Sequence, residues 1–248
     1  MKLRPILFFV TVLTATGQLL AQTTVLTDDF NDGAVDAEKW DIILPFGGSA
    51  ISEANGVLTT AERGTLFTKE EMPANLEVTG SFQMNHASEH FKVVLRSDGS
   101  IEDGKTAAER KGISFAFSND GDQISIQRVS ATDEWEILAV KSYPLTTGQS
   151  YSFRIVANGD SLSLSVNGTE ELTTSSSYSA GNLVGIYSRE LAGRSSDVDS
   201  LSIKNLAYEG GTFQIIEGDF TWQEAKADAE SRGGRLAVLN TQDKIDEV

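Results

Sequence analysis

The middle of the chain alternates apolar and polar residues with a period of two. The alternation is clearest over residues 151–155 and 162–166, and Asn158-Gly159-Asp160 between them indicates a tight turn. Asn167-Gly168 marks a second turn of the same kind. Because a strand places successive side chains on opposite faces of a sheet, this pattern predicts half-buried β-strands. Over residues 40–207 it predicts about a dozen strands, with turn signals spaced as in an all-β sandwich.

The first 21 residues follow a different pattern. Lys2 and Arg4 precede an apolar run over residues 6–13, and Leu19-Leu20-Ala21 follows it. This order is typical of a secretory signal peptide, so residues 1–21 are predicted to be a leader and the protein to be secreted or held at the cell surface. The apolar run is too short for a membrane helix, and we therefore expect no membrane insertion.

The last forty residues show the one clear helical pattern. Thr221 and Glu224 stand three apart, as in a capping box, and Ala225 and Ala229 lie one turn apart behind them. Gly233-Gly234 is a helix end, because glycine accepts the positive φ that such an end requires. A short apolar strand is predicted directly after it.

This tail resembles the opening of a C-type lectin-like domain, which has the form W-x-x-A-x-x-x-C followed by G-G-x-L-A. The matching residues are Trp222, Ala225, Gly233, Gly234, Leu236 and Ala237, while Ala229 stands where many members have a half-cystine. The resemblance implies that residues 209–248 are the N-terminal part of an α+β C-type lectin-like domain, in truncated form. The E-P-N and W-N-D motifs that carry calcium and sugar in that family do not occur in the sequence.

The middle resembles the concanavalin A-like lectin/glucanase sandwich, including laminin G-like modules. The resemblance rests on Asp28-Asp29-Phe30-Asn31-Asp32-Gly33 followed by Trp40, and on the apolar stretches 184–187 and 198–203 near the end. It implies that residues 22–208 form an all-β jelly-roll sandwich in which the first and last strands are neighbours.

Composition narrows the possible partners. The chain has 248 residues, no cysteine, and 20 basic against 36 acidic side chains. This charge argues against nucleic acid and anionic membrane surfaces as partners. Without cysteines, an exported protein depends on its core or on bound metal for stability.

Catalytic motifs are missing from the sequence. Glucanases of the resembled superfamily carry E-x-D-x-x-E on one strand, and no such run occurs. The nearest approaches, Glu134-Trp135-Glu136 and Asp197-Val198-Asp199, read better as ordinary sandwich strands with exposed acids. His86 and His90 have no third nitrogen or sulfur ligand nearby, so they do not predict a zinc site. We therefore predict no catalytic residues.

Two kinds of binding site remain. The resemblance implies a structural calcium ion between the first and last strands, with Asp29 and Asp199 as ligands; alternatively, Asp28, Asp29 and Asp32 only cap a turn. For carbohydrate, Trp135 and Tyr187 are the candidate stacking platforms, although an aromatic residue on an alternating strand is often part of the core.

These observations favour a secreted, non-catalytic recognition protein that binds a glycan or a cell-surface protein. The alternatives are a secreted glycoside hydrolase with an atypical active site and a structural spacer module of a larger surface protein. The missing carboxylate motif separates the first hypothesis from the second.

Overall fold

The computed structural model describes residues 8–12, 23–44, 51–61, 63–100, 110–131, 134–188, 193–206, 212–216, 221–231 and 234–236. The chain divides into two compact units, one of residues Gln22–Leu206 and one of Met1–Ala21 together with Ala207–Val248. Of the predicted leader, only Phe8–Val12 is among the described residues. Its cleavage site lies outside them, so the leader stays a prediction.

All the regular secondary structure among the described residues of the larger unit is β-strand. The strands of its first half are β2 (Thr23–Asp28), β3 (Trp40–Ile43), β4 (Ile51–Ala54), β5 (Val57–Ala61), β6 (Thr65–Thr68), β7 (Leu76–Met84), β8 (His90–Ser97) and β9 (Gly112–Ser118). Those of its second half are β10 (Gln123–Ala131), β11 (Glu134–Ser142), β12 (Ser150–Asn158), β13 (Ser161–Val166), β14 (Thr169–Ser175), β15 (Leu183–Ser188) and β16 (Ser195–Asn205).

These strands form two antiparallel sheets. One has seven strands in the order β11-β10-β9-β8-β15-β6-β3. The other has eight, in the order β14-β13-β12-β7-β16-β5-β4, with β2 also paired to β16. This confirms the predicted all-β jelly-roll sandwich.

The two hairpins read from the sequence are present. Gly159 separates β12 from β13 and has a φ of 55°. Asn167 and Gly168 separate β13 from β14, with φ values of 48° and 81°. Two consecutive positive φ angles are the requirement of a type I′ turn, which explains why Asn-Gly stands there.

The predicted contact between the first and last strands of the sandwich is also present. Strand β2 pairs antiparallel with β16, and Asp28 lies opposite Leu201. The chain therefore begins and ends this unit side by side in the eight-stranded sheet.

An aromatic cluster lies between the sheets. The Phe82 ring, from the eight-stranded sheet, stacks on Phe91 of the other sheet with centroids 4.5 Å apart, and its centroid lies 4.6 Å from that of Phe117. Phe153 and Tyr151 complete the ring contacts of Phe82 at 6.2 and 5.9 Å. All five rings are buried, so this cluster joins the two sheets.

The smaller unit contains β1 (Phe8–Val12), β17 (Thr212–Ile216), the helix α1 (Trp222–Ser231) and β18 (Gly234–Leu236). Strand β1 pairs antiparallel with both β17 and β18 and lies between them. Removal of a 21-residue leader would therefore take the central strand out of this sheet.

The predicted capping box is formed at the start of α1. The Thr221 backbone N–H donates to Glu224 Oε2 at 2.8 Å, and the Glu224 N–H donates to Thr221 Oγ1 at 3.3 Å. The backbone hydrogen bond from Thr221 lowers the pKa of Glu224. The helix and the strand after it lie where the sequence predicted them. Residues 237–248 lie outside the described residues, and the C-type lectin-like identity of this tail stays a prediction.

No helix in the described ranges is long and apolar enough to cross a membrane.

We expect Phe82→Ala to lower the free energy of unfolding by about 3–5 kcal/mol, because it removes the ring that joins both sheets and leaves a cavity. Urea denaturation of the full chain, followed by circular dichroism, measures the change. Val25→Ala, at an exposed apolar position of β2, is the control and should change stability little. Equal effects of the two substitutions would contradict this description of the core.

Candidate functional site

The outer face of the seven-stranded sheet carries both aromatic residues selected from the sequence. Residues that lie opposite each other on paired strands share a face of the sheet. One row across the sheet is Val140, Ser125, Ala116, Lys92, Tyr187 and Thr65. Neighbouring positions on the same face include Trp135 opposite Val129, and Ile137 opposite Gln127. The core-facing residues of these strands occupy the alternate positions.

Strand β11, at the edge of this sheet, exposes three apolar side chains on that face. Trp135 is 58% exposed, Ile137 45% and Val140 50%. We call these three residues the Trp135 patch. An exposed tryptophan ring beside polar side chains is a suitable surface for the apolar face of a sugar ring.

Tyr187 shares the outer face but has no exposed surface. Its relative exposure is 0%, and the Arg110 guanidinium carbon lies 4.4 Å from the ring centroid. Arg110 Nε also donates to Thr65 Oγ1 at 2.8 Å, and the guanidinium bonds the Arg63 carbonyl. Four strand steps separate Tyr187 from Trp135, or about 19 Å at the usual strand spacing. Direct stacking of a sugar on Tyr187 stays a prediction, and it would require the covering groups to move.

A polar row lies between the two aromatic residues. Lys92 Nζ donates to Gln127 Oε1 at 3.2 Å, and Gln127 Nε2 donates to Ser125 Oγ at 2.8 Å. Ser114, opposite Gln127, is fully buried, and its hydroxyl has no hydrogen-bond partner among the described residues. This network fixes the Gln127 amide at the border of the Trp135 patch, where a ligand hydroxyl can contact it.

Carboxylates are scarce on this face. On its five central strands, β6, β8, β9, β10 and β15, no described outward-facing residue is Asp or Glu. Glu136 points away from the Trp135 patch and forms an ion pair with Arg128 at 2.6 Å. A retaining glycosidase needs two carboxyl groups about 5–5.5 Å apart, and the described part of this face contains no such pair.

His90, Ser118 and Asp120 form a cluster where β8 begins and β9 ends. His90 Nε2 lies 2.7 Å from Asp120 Oδ1 and 3.2 Å from Ser118 Oγ, and Ser118 Oγ donates to Asp120 Oδ1 at 2.6 Å. A catalytic triad uses the two different ring nitrogens for its serine and its carboxylate. Here both groups contact the same nitrogen, so the cluster lacks triad geometry. His86 is exposed, and its Nδ1 accepts the Ser88 N–H.

Asp28 anchors the turn that the motif at residues 28–33 forms. Its carboxylate accepts the Trp40 indole N–H at 2.7 Å and the Phe30 N–H at 3.1 Å, and Lys39 Nζ lies 3.6 Å away. Phe30 is fully buried although its φ is 49°, an unusual angle for an aromatic residue. Asp28 therefore has the turn-capping role that the sequence left open as an alternative.

The predicted calcium ligands lie away from the Trp135 patch: Asp29 directly follows β2, and Asp199 is on β16 of the eight-stranded sheet. Asp29 lines an open groove of about 840 Å³, and its Oδ2 accepts from Asn31 at 2.6 Å. Asp199 Oδ2 accepts from Ser81, which lines the same groove, at 3.3 Å. Among the described residues no group of three or more His, Cys, Asp or Glu side chains is arranged to hold a metal ion. Calcium at these two positions stays a prediction.

The sequence reasoning missed Glu53. This residue of β4 is only 8% exposed, and its Oε1 accepts the Gly33 N–H at 2.8 Å. Burial, followed by the hydrogen-bonding contact with Asp32, raises the pKa of the Glu53 carboxyl group. Asp32 and Asp28 add negative charge that acts in the same direction. Nothing in the alternation of residues 51–54 pointed to this pair, because it depends on a contact across 21 positions of the chain.

No protein-family model and no curated protein matches the chain. Several solved structures share its fold. A structure from a study of endo-acting O-glycanases, which prominent members of the human gut microbiota express to initiate mucin breakdown, matches with a TM-score of 0.58 and 10% identity, covering 75% of this chain and 100% of that chain. A β-glucanase of Bacillus licheniformis matches with a TM-score of 0.55 and 8% identity over 74% and 98%.

The carbohydrate-binding module CBM66 from Bacillus subtilis matches with a TM-score of 0.50 and 10% identity, over 70% of this chain and 94% of the module. At such identities these likenesses establish the fold and no more. The sandwich is a jelly roll of the kind that both carbohydrate-binding modules and glucanases use.

We expect the raised pKa of Glu53 to make the metal-free protein less stable as the pH rises. An acid whose folded-state pKa lies above its unfolded value contributes stability below the unfolded value, which is 4.5 for Glu, and loses that contribution as the pH passes the folded value. Relative to Glu53→Gln, the wild type should therefore lose stability from pH 4.5 upwards. Urea denaturation of both proteins in chelator, at pH 4 to 8, measures the difference, and a difference that moves in the opposite direction would contradict the assignment.

Proposed function

We propose that this protein is a secreted, non-catalytic glycan-binding protein, and that the Trp135 patch is where the glycan binds. The observation that carries the proposal is the 58% exposed Trp135 ring on the outer face of the seven-stranded sheet. A sugar ring would stack on Trp135, with Ile137 and Val140 extending the apolar surface. Gln127, held in place by Lys92 and Ser125, would meet the ligand's hydroxyl groups.

The polar network supports this choice. A side-chain amide whose rotamer is fixed by two neighbours loses little entropy on binding, which favours recognition of one orientation of a sugar. Tyr187 and Arg110, which pack against each other on the same face, would stabilise this part of the sheet.

Among the fold's relatives, both binding modules and glucanases occur. Binding without catalysis is favoured by the lack of outward-facing Asp and Glu on the described central strands and by the absence of the E-x-D-x-x-E run. A glycoside hydrolase with an atypical active site is the second candidate, since several of the solved structures that share the fold are glucanases.

Three further expectations belong to the proposal. The leader would export the protein, and the glycan would be on a cell surface or in the extracellular matrix, where a surface protein could carry it. The C-type lectin-like tail, residues 209–248, would contribute no sugar affinity of its own. A structural calcium ion at Asp29 and Asp199 would stabilise the sandwich and would not contact the glycan.

Trp135→Ala should weaken glycan binding by about 2 kcal/mol or more, roughly thirtyfold in Kd, because it removes the stacking surface at the centre of the site. The measurement is isothermal titration of the full chain with laminaritriose, laminaritetraose, a β-1,3-1,4-glucan and mucin O-glycans. Val25→Ala, which removes exposed apolar surface from the other sheet, should bind as the wild type does.

Binding that survives Trp135→Ala would move the site elsewhere. Release of reducing sugar from any of these glycans, abolished by Glu136→Gln or Asp199→Asn, would establish the hydrolase instead.

A further inference from the structure

Glu53 presents a buried oxygen without a donor. Its Oε1 accepts the Gly33 N–H, but Oε2 is shielded from solvent and has no hydrogen-bond partner among the described residues. A buried carboxylate oxygen in this condition is costly unless a proton, a donor or a cation compensates it. An ionised Glu53 therefore lowers the stability of the folded protein unless a donor or a cation binds Oε2.

The group beside Glu53 is a second carboxylate. Asp32 precedes Gly33, whose N–H bonds Glu53 Oε1, and its carboxylate is close enough to raise the pKa of Glu53, to which Asp28 adds its charge. The cation of this corner, Lys39, forms its ion pairs with Asp28 at 3.6 Å and with Asp36 at 3.4 Å. Neither of these ion pairs includes Asp32 or Glu53.

We propose that a calcium ion binds between Asp32 and Glu53. Calcium prefers oxygen ligands and tolerates irregular coordination by carboxylates, backbone carbonyls and water. The two carboxylates would supply the charge, and carbonyl groups of the turn and water would complete the shell. Magnesium fits less well because it demands a near-ideal octahedron, and zinc prefers nitrogen and sulfur ligands.

This site differs from the pair that the sequence suggested. Asp29 is bonded to Asn31 and Asp199 to Ser81, so both already have donors. Glu53 Oε2 has no donor, and Glu53 is buried whereas Asp29 and Asp199 are exposed. The charge that most needs a cation is therefore at Glu53.

Such an ion would tie two distant segments together. Asp32 belongs to the turn after β2, and Glu53 lies on β4, at the edge of the eight-stranded sheet. The only described direct hydrogen bond between this turn and Glu53 is the one from Gly33. Bound calcium would add a second link and would hold the turn in which Phe30 adopts its positive φ.

The test is calcium titration of the chelator-treated full chain at pH 7, by calorimetry and by thermal melting. We expect a Kd on the order of 0.1–1 mM, the range of extracellular calcium-binding modules, and a rise in melting temperature with calcium. Glu53→Gln keeps the acceptor for Gly33 and should weaken calcium binding at least tenfold, and Asp32→Asn should do the same. Glu170→Gln, an exposed acid on β14, should leave the affinity unchanged.

The proposal would be overturned if Glu53→Gln and Asp32→Asn both retained calcium binding. It would also be overturned if the wild type bound no calcium at concentrations 10-fold above that Kd range. Loss of binding in Asp199→Asn, with Glu53→Gln unaffected, would place the ion at the sequence-derived pair instead. Since glycan binding is measured separately, with Trp135→Ala, the two proposals fail independently of each other.

Discussion

The packing of one sheet against the other through buried aromatic rings is the interaction on which this protein depends. Phe82 contacts rings from both sheets, and the sandwich has no disulfide to supplement it. Burial of large rings supplies most of the free energy available to such a core. It also determines which residues are free for function, because every side chain that points into the core fixes its neighbours on the strand to the outer face.

That constraint explains the different environments of the two aromatic residues on the outer face. Trp135 lies on an edge strand, where neighbouring strands cover only one side, and its ring stays accessible. Tyr187 lies on an inner strand beside Phe67 and Val94, and these side chains and Arg110 bury it completely. Gly185 permits this packing, since a Cβ there would lie 2.6 Å from the Phe67 ring. Their positions within the sheet, and not their residue types, leave the Trp135 ring exposed and the Tyr187 ring buried.

The corner where β2 meets β16 shows how charge is handled in a protein with a large acidic excess. Asp28 is buried but has three stabilising contacts, from Trp40, Phe30 and Lys39. Glu53, a short distance away, is buried with one donor and a second carboxylate beside it. Both acids are buried, but Asp28 has Lys39 beside it, whereas Glu53 has only the Gly33 N–H. A calcium ion at Glu53 would supply the positive charge that this second acid lacks.

Much of this architecture follows from the sequence alone. The period-two alternation determined the sandwich, Asn167-Gly168 determined its hairpin, and Thr221 with Glu224 determined the start of α1, because each depends on forces that act within a few residues. The resemblance to concanavalin A-like sandwiches also predicted that the first and last strands are neighbours, and the alternation placed Trp135 and Tyr187 on strands. The exposure of Trp135, the burial of Tyr187 and the pairing of Asp32 with Glu53 were decided by tertiary structure. Each of these depends on which strand lies at an edge or on which distant side chain closes over a residue, and alternation along a strand carries no information about either.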